Sequence, residues 1–460
     1  MSTRPRSHLR RPPRLAVEAV VIFGLIALAA LLVHHFVVHT IRNPRPLGGA
    51  NVDVSKAPLT QGDTSFAIDP ARPRILFGAS DDSGGDRVLV YDSADAGATW
   101  RRSEGPAAPG GSCARGEPRV AIGRDGRQYL AFTSQAFCGD QLTPYLVFTS
   151  RAGPRARWAP LVRVAPRAWR YGFDDAPDLA LDERSGRLYL AWTRSLSVDD
   201  ATVVVSRSSD GGRTWSVPLP VASARDRPRL ASIAVAPGGD VYVAGIDTVH
   251  GVWISRSTDG GRTFGAPRTA GRLLANPAAE CSLTAQSPLP REEQTCAGPN
   301  PTVVARGDRV FVVYDDTGAN GTPDVFVTAL DPGLRRLFRV RVNPPDRGAA
   351  QQFFPVAAVD AGTGVLWACW YDTTFDPNAH RAWFTCSASR DGRTWTAPER
   401  AAAVPTMPAD LFEAVAGGGL RPALVAGDGV AHAFWIDDRV VDLEQDVFTA
   451  ALTERAAFKG

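Results

Sequence analysis

Five aspartates, Asp82, Asp247, Asp316, Asp372 and Asp438, each close an apolar, alternating run of residues. A second set, Glu117, Asp175, Arg227, Asn300, Gln352 and Arg421, stands at or just ahead of the start of another such run. Tyr371 and Arg439 flank members of the first set. Carboxylates, guanidinium groups and an aromatic ring converging on one funnel would suit a sugar or an anionic glycan. Arg227, Arg421 and Arg439 can present planar forks to a carboxylate. The competing role is structural, because an acid recurring at one place in a repeat also serves to order a loop. The adjacent acids Asp81-Asp82, Asp174-Asp175, Asp199-Asp200, Asp315-Asp316 and Asp437-Asp438 leave bound calcium open, but none lies in an EF-hand loop. No zinc-ligand spacing, phosphate-binding P-loop, GxSxG or HExxH is present, so no metal ligand is assigned. His432, within the apolar run VAHAFW, reads as a packed strand residue rather than a ligand.

The elements that must position these residues announce themselves through an octapeptide. It reads SADAGATW at 93–100, SSDGGRTW at 208–215 and STDGGRTF at 257–264, with a shortened SRDGRTW at 389–395. Each copy follows an apolar alternating run. Asp bonds backbone amides two residues on and Gly accepts positive φ, so the octapeptide is a tight turn. Its Thr and aromatic residue start the next strand. No catalysis is assigned to Asp95, Asp210, Asp259 or Asp391. At these positions the chain resembles the sialidase-like, Asp-box (BNR repeat) β-propeller proteins. The resemblance covers nearly everything after the N-terminal segment.

The repeat extends beyond the turn. A first strand, usually led by Pro, is followed by Gly and a second strand ending in an aromatic and an acid, then a third strand, the turn and a fourth strand. Seven units follow one another, and the second and fifth have degenerate turns, SRAGPRARW and ALDPGLRRLF. The expected fold is all-β: a single propeller of seven four-stranded blades, with six, the number in sialidases, as the alternative. The seventh unit ends near Leu452 without a fourth strand, and Asn51–Lys56 has no partner of its own. Pairing the two would close the ring and leave no open edge. First-strand starts and second-strand ends then share one face, and the repeated turns occupy the other.

The resemblance implies a site as well as a fold. Sialidases use a tyrosine nucleophile paired with a glutamate, an acid/base aspartate and three arginines for the substrate carboxylate. Tyr371 with Glu413 would be the nucleophile pair. Glu117, Asp175, Arg227, Asp372, Arg421 and Arg439 would line the ligand site. The first arginine of the family sits in an Arg-Ile-Pro motif. The nearest string here, Arg74-Ile75-Leu76, lacks the Pro and falls on a second strand.

The ends and the cysteines bound the setting. Five arginines within residues 1–14 precede an apolar run over 15–38, long enough to cross a bilayer. The charge asymmetry places the N-terminus inside and the propeller, residues 51–460, outside the cytoplasm after a linker at 39–50. The run is longer than a signal-peptide core and lacks a small-x-small site near its end, so an uncleaved anchor is expected over a cleaved signal. Six cysteines suit an oxidising compartment, and their locality suggests Cys113–Cys138, Cys281–Cys296 and Cys369–Cys386. A formal net charge of only +3 argues against a nucleic-acid partner. A monomer is expected. Three functions remain open: a propeller binding a glycan or other surface ligand, an exo-sialidase-type hydrolase, and an assembly or scaffold factor at the membrane surface.

Overall fold

The computed structural model describes residues 50–459 except 59, 83–86, 108–113, 136–144, 166–172, 198–199, 224–227, 275–299, 319–320, 346–349, 377–380, 407–420 and 442–443. The membrane-spanning segment expected over 15–38, the tail before it and nearly all of the linker after it lie outside these residues, as do Cys113, Cys138, Cys281 and Cys296. Among the described residues the chain forms seven four-stranded antiparallel sheets. They are the seven expected blades, and the count of six is set aside.

The innermost strands run, in chain order, Ser65–Ile68, Ala114–Ile122, Phe173–Asp182, Arg229–Val235, Thr302–Arg306, Gln352–Val359 and Ala423–Gly427. Each blade then steps outward through three more strands. Second strands such as Val241–Asp247 and Leu366–Asp372 are buried along their whole length. A blade is covered on both faces by its neighbours, so these strands are near-continuous apolar runs rather than strict alternations. The core lies in the seams between blades. Phe311, Val327 and Trp370 fill the seam between the fifth and sixth. Val54, Phe66, Tyr91, Phe434 and Val447 fill the one between the seventh and first.

The ring closes as the orphan strand requires. Val52 and Asp53 pair antiparallel with Thr449 and Phe448 and supply the outermost strand of the last blade. Ser55 donates to Asp446 Oδ1 at 2.7 Å, and Asn51 Oδ1 accepts from Arg439 Nη1 at 2.9 Å. A chain whose first strand completes its last blade has no free sheet edge there. Cys369 and Cys386 form a disulfide between paired positions of two strands of the sixth blade.

The repeated turns adopt one geometry. Asp210 Oδ1 accepts from Ser208 Oγ at 2.8 Å and the Thr214 amide at 3.0 Å, and its Oδ2 accepts from Thr214 Oγ1 at 2.7 Å. Asp95, Asp259 and Asp391 accept from the equivalent groups. Gly212 takes φ +86°, and a Cβ there would sit 1.8 Å from the Phe148 ring of the preceding blade. The second Gly of that turn is therefore needed twice, for its backbone angle and for the close approach.

Candidate functional site

The inner strands carry a second repeat that sets up the site. In four of them the register slips, between Gly116 and Arg119, Asp175 and Asp178, Arg229 and Ser232, and Phe353 and Val356. At each slip a non-glycine residue takes positive φ: Glu117 (52°), Ala176 (49°), Leu230 (55°) and Phe354 (51°). Three of these four precede a proline. Such bulges bend a strand and re-aim its side chains, and a left-handed non-glycine residue costs of order ~1–3 kcal/mol.

One residue from the inner strand of each blade lines the central channel: Ser65, Arg119, Asp178, Ser232, Thr302, Val356 and Ala423, with Arg119, Asp178, Ser232 and Val356 just past a bulge. They surround a cavity of about 150 Å³. Several of these side chains stitch the ring together. Ser65 Oγ accepts the Val120 amide at 3.1 Å, Asp178 Oδ2 the Ile233 amide at 2.8 Å, and Ser232 Oγ the Val303 amide at 3.1 Å. Glu117 accepts the Ala176 amide at 3.0 Å, again across a blade seam.

At the mouth of this channel, on the face opposite the repeated turns, Asp63, Glu117 and Asp178 interact electrostatically with Arg119 and Arg421, and Asp81 and Asp175 stand close enough to Asp63 to repel its charge. Burial, with the repulsion of Asp175 and Asp63 added, pushes the Glu117 carboxyl well above the ordinary range. Asp81 is pushed up to about 8 by burial and by the nearby Asp63 charge. Asp63 is pushed up to about 6 by burial, with Arg119 and Arg421 pulling it back. Burial and the like charge of Arg421 lower the Arg119 guanidinium. Two groups in the cluster are incompletely bonded. Arg119 Nε and Nη1 donate to the carbonyls of Pro177 and Pro118 at 2.8 and 2.7 Å, but Nη2 is buried with no acceptor among the described residues. Neither carboxylate oxygen of Asp63, a residue only 1% exposed, meets a donor at full hydrogen-bond geometry among them. A buried polar group left in this state costs about 1–3 kcal/mol, and more when charged.

The residues expected from sequence divide into three groups. Glu117, Asp175 and Arg421 belong to the mouth, and Asn300 lines the channel. Tyr371, Asp372 and Arg439 are committed elsewhere. Tyr371 is fully buried; its Oη donates to the Ile436 carbonyl at 2.9 Å and accepts the Ile436 amide at 3.0 Å. Burial raises its phenol far above the ordinary value, so this tyrosine is a seam residue and not an exposed nucleophile. Asp372 accepts from Gln352 Nε2, Trp370 Nε1 and the Thr374 amide, and thereby orders its loop. Arg439 is forked on Asp437 and stacked 4.0 Å from the Phe448 ring centroid, beside the closing strand. Arg227 and Glu413 lie outside the described residues. The other acids that end second strands are also held. Asp247 accepts from His250, Asp316 from the Leu274 amide and Asp438 from Thr406 Oγ1.

Arg119, Asp178 and Asp63 were not singled out by sequence. The first two carried a readable signal: each directly follows the Pro of its inner strand, in Glu-Pro-Arg and Ala-Pro-Asp. Among the described residues no group of three or more His, Cys, Asp or Glu side chains is arranged to hold a metal ion.

No protein-family model and no curated sequence matches the chain. Solved structures do. The α-L-arabinofuranosidase of Fusarium graminearum, family GH93, in complex with arabinobiose is similar at a TM-score of 0.51 and 10% identity, over 89% of this chain and 99% of that one. A Hadza microbial sialidase aligns at a TM-score of 0.42 and 13% identity, over 83% and 74% of the two chains. A Dyadobacter fermentans protein of unknown function aligns at 0.48 and 14%, over 71% and 94%. The likeness is one of fold. The chain is a seven-bladed β-propeller.

Proposed function

We propose that this protein binds a glycan at the mouth of its central channel, presented outside the cytoplasm on an N-terminal membrane anchor. The observation that carries the reading is the pair of incompletely bonded buried groups, Asp63 and Arg119 Nη2, at one opening. Vicinal hydroxyls supply what these groups are short of, further donors for the carboxylate beyond the Arg421 amide near it and an acceptor for the guanidinium. Five carboxyl groups against two guanidiniums favour a neutral or amino-bearing sugar over an acidic one. Asp81, pushed up to about 8, can also donate to sugar oxygens near neutral pH.

A second reading, glycoside hydrolysis, has one observation of its own. A carboxyl kept protonated by burial beside a more acidic carboxylate is the pairing that general acid catalysis of glycoside cleavage uses. The tyrosine-based scheme loses support from the burial of Tyr371.

The test is a glycan array and a panel of fluorogenic glycosides, run on the full chain and on Asp63→Asn and Arg421→Ala. Saturable binding of neutral or amino glycans, weakened about tenfold by either substitution, is expected. Turnover abolished by Glu117→Gln would favour the second reading. Preference for sialosides, or binding indifferent to both substitutions, would refute the site. Co-purification of a membrane protein with neither binding nor turnover would favour an assembly factor instead.

A further inference from the structure

The second and fifth repeats lost their octapeptide, and hollows open beside both degenerate turns. Where the turn is intact, its second Gly packs on an aromatic of the preceding blade, as Gly212 does on Phe148 and Gly261 on Tyr189. In the second repeat, Ala152 and Pro154 stand in the region of the turn Asp and Gly, and Arg151 folds inward. It forms a buried pair with Asp92 at 2.9 Å and stacks 4.4 Å from the Trp158 ring centroid. The turn meets the first blade through the Pro154 carbonyl, which accepts from Arg101, and through Trp158 against Phe77. The groove between them has a volume of about 640 Å³, within the range of small-molecule sites. The fifth repeat shows the same effect, with a hollow of about 480 Å³ between Gly333-Leu334 and the end of the fourth blade.

The first groove has a definite chemistry. Ile75, Trp100, Ala152 and Pro154 form apolar walls, and Arg101 and Arg155 stand on the rim. Its acids are consumed. Asp92 accepts from Gln128, Arg101 and Arg151, and Asp95 from Ser93 and Thr99. Arg155 is exposed and forms no ion pair among the described residues. An apolar slot with an aromatic wall and a free guanidinium at its edge complements a flat ring carrying a negative charge.

We propose that this groove, on the face opposite the channel mouth, is a second ligand site that takes a small aromatic anion. It is independent of the channel and of any glycan bound there.

The full chain would be titrated calorimetrically with 2-naphthoate, and with neutral 2-naphthamide as the charge control. Saturable binding of one equivalent, tighter for the acid than for the amide, is expected. Filling the groove with Ala152→Trp should weaken both ligands about tenfold or more, since the walls supply most of the contact. Arg155→Glu should weaken the acid several-fold and spare the amide. Asp63→Asn, at the channel mouth, should change neither. Absence of saturable binding, or affinity unchanged in Ala152→Trp, would overturn the site. Acid and amide bound equally would overturn its anionic class. Should Ala152→Trp fail to fold, the exposed Arg155→Glu decides, and indifference of the acid to it refutes the proposal.

Discussion

The two faces of this propeller hold two populations of acid in opposite states. In the repeated turns, Asp210 sits in a nest of one hydroxyl, one amide and a second hydroxyl, and those bonds lower it to about 2. Asp259 is lowered likewise by Thr263 and Ser257. At the channel mouth, Asp63, Asp81 and Glu117 are raised, because burial outweighs the few donors they meet. The first population is satisfied by its own loop and has nothing to offer a ligand. The second is held by the ring in a state that a ligand would relieve. A carboxylate's environment, and not its recurrence in the sequence, separates structure from function.

The largest expected effect comes from the mouth. Arg119→Met removes the cation that Asp63, Asp178 and Glu117 share and leaves their charge buried. A loss of roughly 3–5 kcal/mol in unfolding free energy is expected by denaturant titration. A change below about 1 kcal/mol would mean that the cluster is held together by other groups.

Tyr371→Phe comes next. It deletes a fully buried hydroxyl bonded to both the amide and the carbonyl of Ile436. A loss of about 1–3 kcal/mol is expected, with glycan binding intact in the folded fraction. Normal stability combined with lost binding or turnover would return Tyr371 to the site.

The pH dependence of stability should have opposite signs in the two populations. Asp81 has a folded value of about 8, above the ~3.9 of an unfolded Asp. The folded state then holds the extra proton between those limits, so this residue's contribution to stability falls as pH rises from about 4 to about 8. Asp210, at about 2, contributes stability that is present above pH 4 and lost as pH falls toward 2. Asp81→Asn should flatten the upper slope and leave the lower one unchanged. Unfolding curves collected across this range check both signs, and a rising slope between pH 6 and 8 attributable to Asp81 would contradict its assignment.

The smallest effect is expected at the turns. Asp210→Ala, at an exposed site, should cost about 1 kcal/mol or less once solvent screening is allowed for, and leave ligand affinity unchanged. Lost binding in a folded Asp210→Ala protein would place the ligand on the wrong face.

The sequence by itself determined the architecture. The octapeptide, the Pro-led strands and the unpaired Asn51–Lys56 segment are local patterns, and each specifies one turn, one strand or one missing partner. Seven blades and the closing strand follow from counting them, as does the Cys369–Cys386 bridge between neighbouring strands. The placement of first-strand starts opposite the turns followed too, since blade connectivity alone fixes it. Glu117, Asp175 and Arg421 were legible for this reason.

What only the tertiary structure decided is which polar side chains are already spent. Tyr371, Asp372 and Arg439 carry the right chemistry at the right point of the repeat, but their partners are Ile436, Gln352 and Asp437, and Tyr371 meets its partner across a blade seam. Arg119 and Asp178 look like ordinary strand residues until a bulge beside a proline turns them into the channel. Spacing along one chain reports which blade a residue belongs to. It carries no record of the neighbouring blade, and burial between blades is what sets whether an acid is neutral, bonded or free.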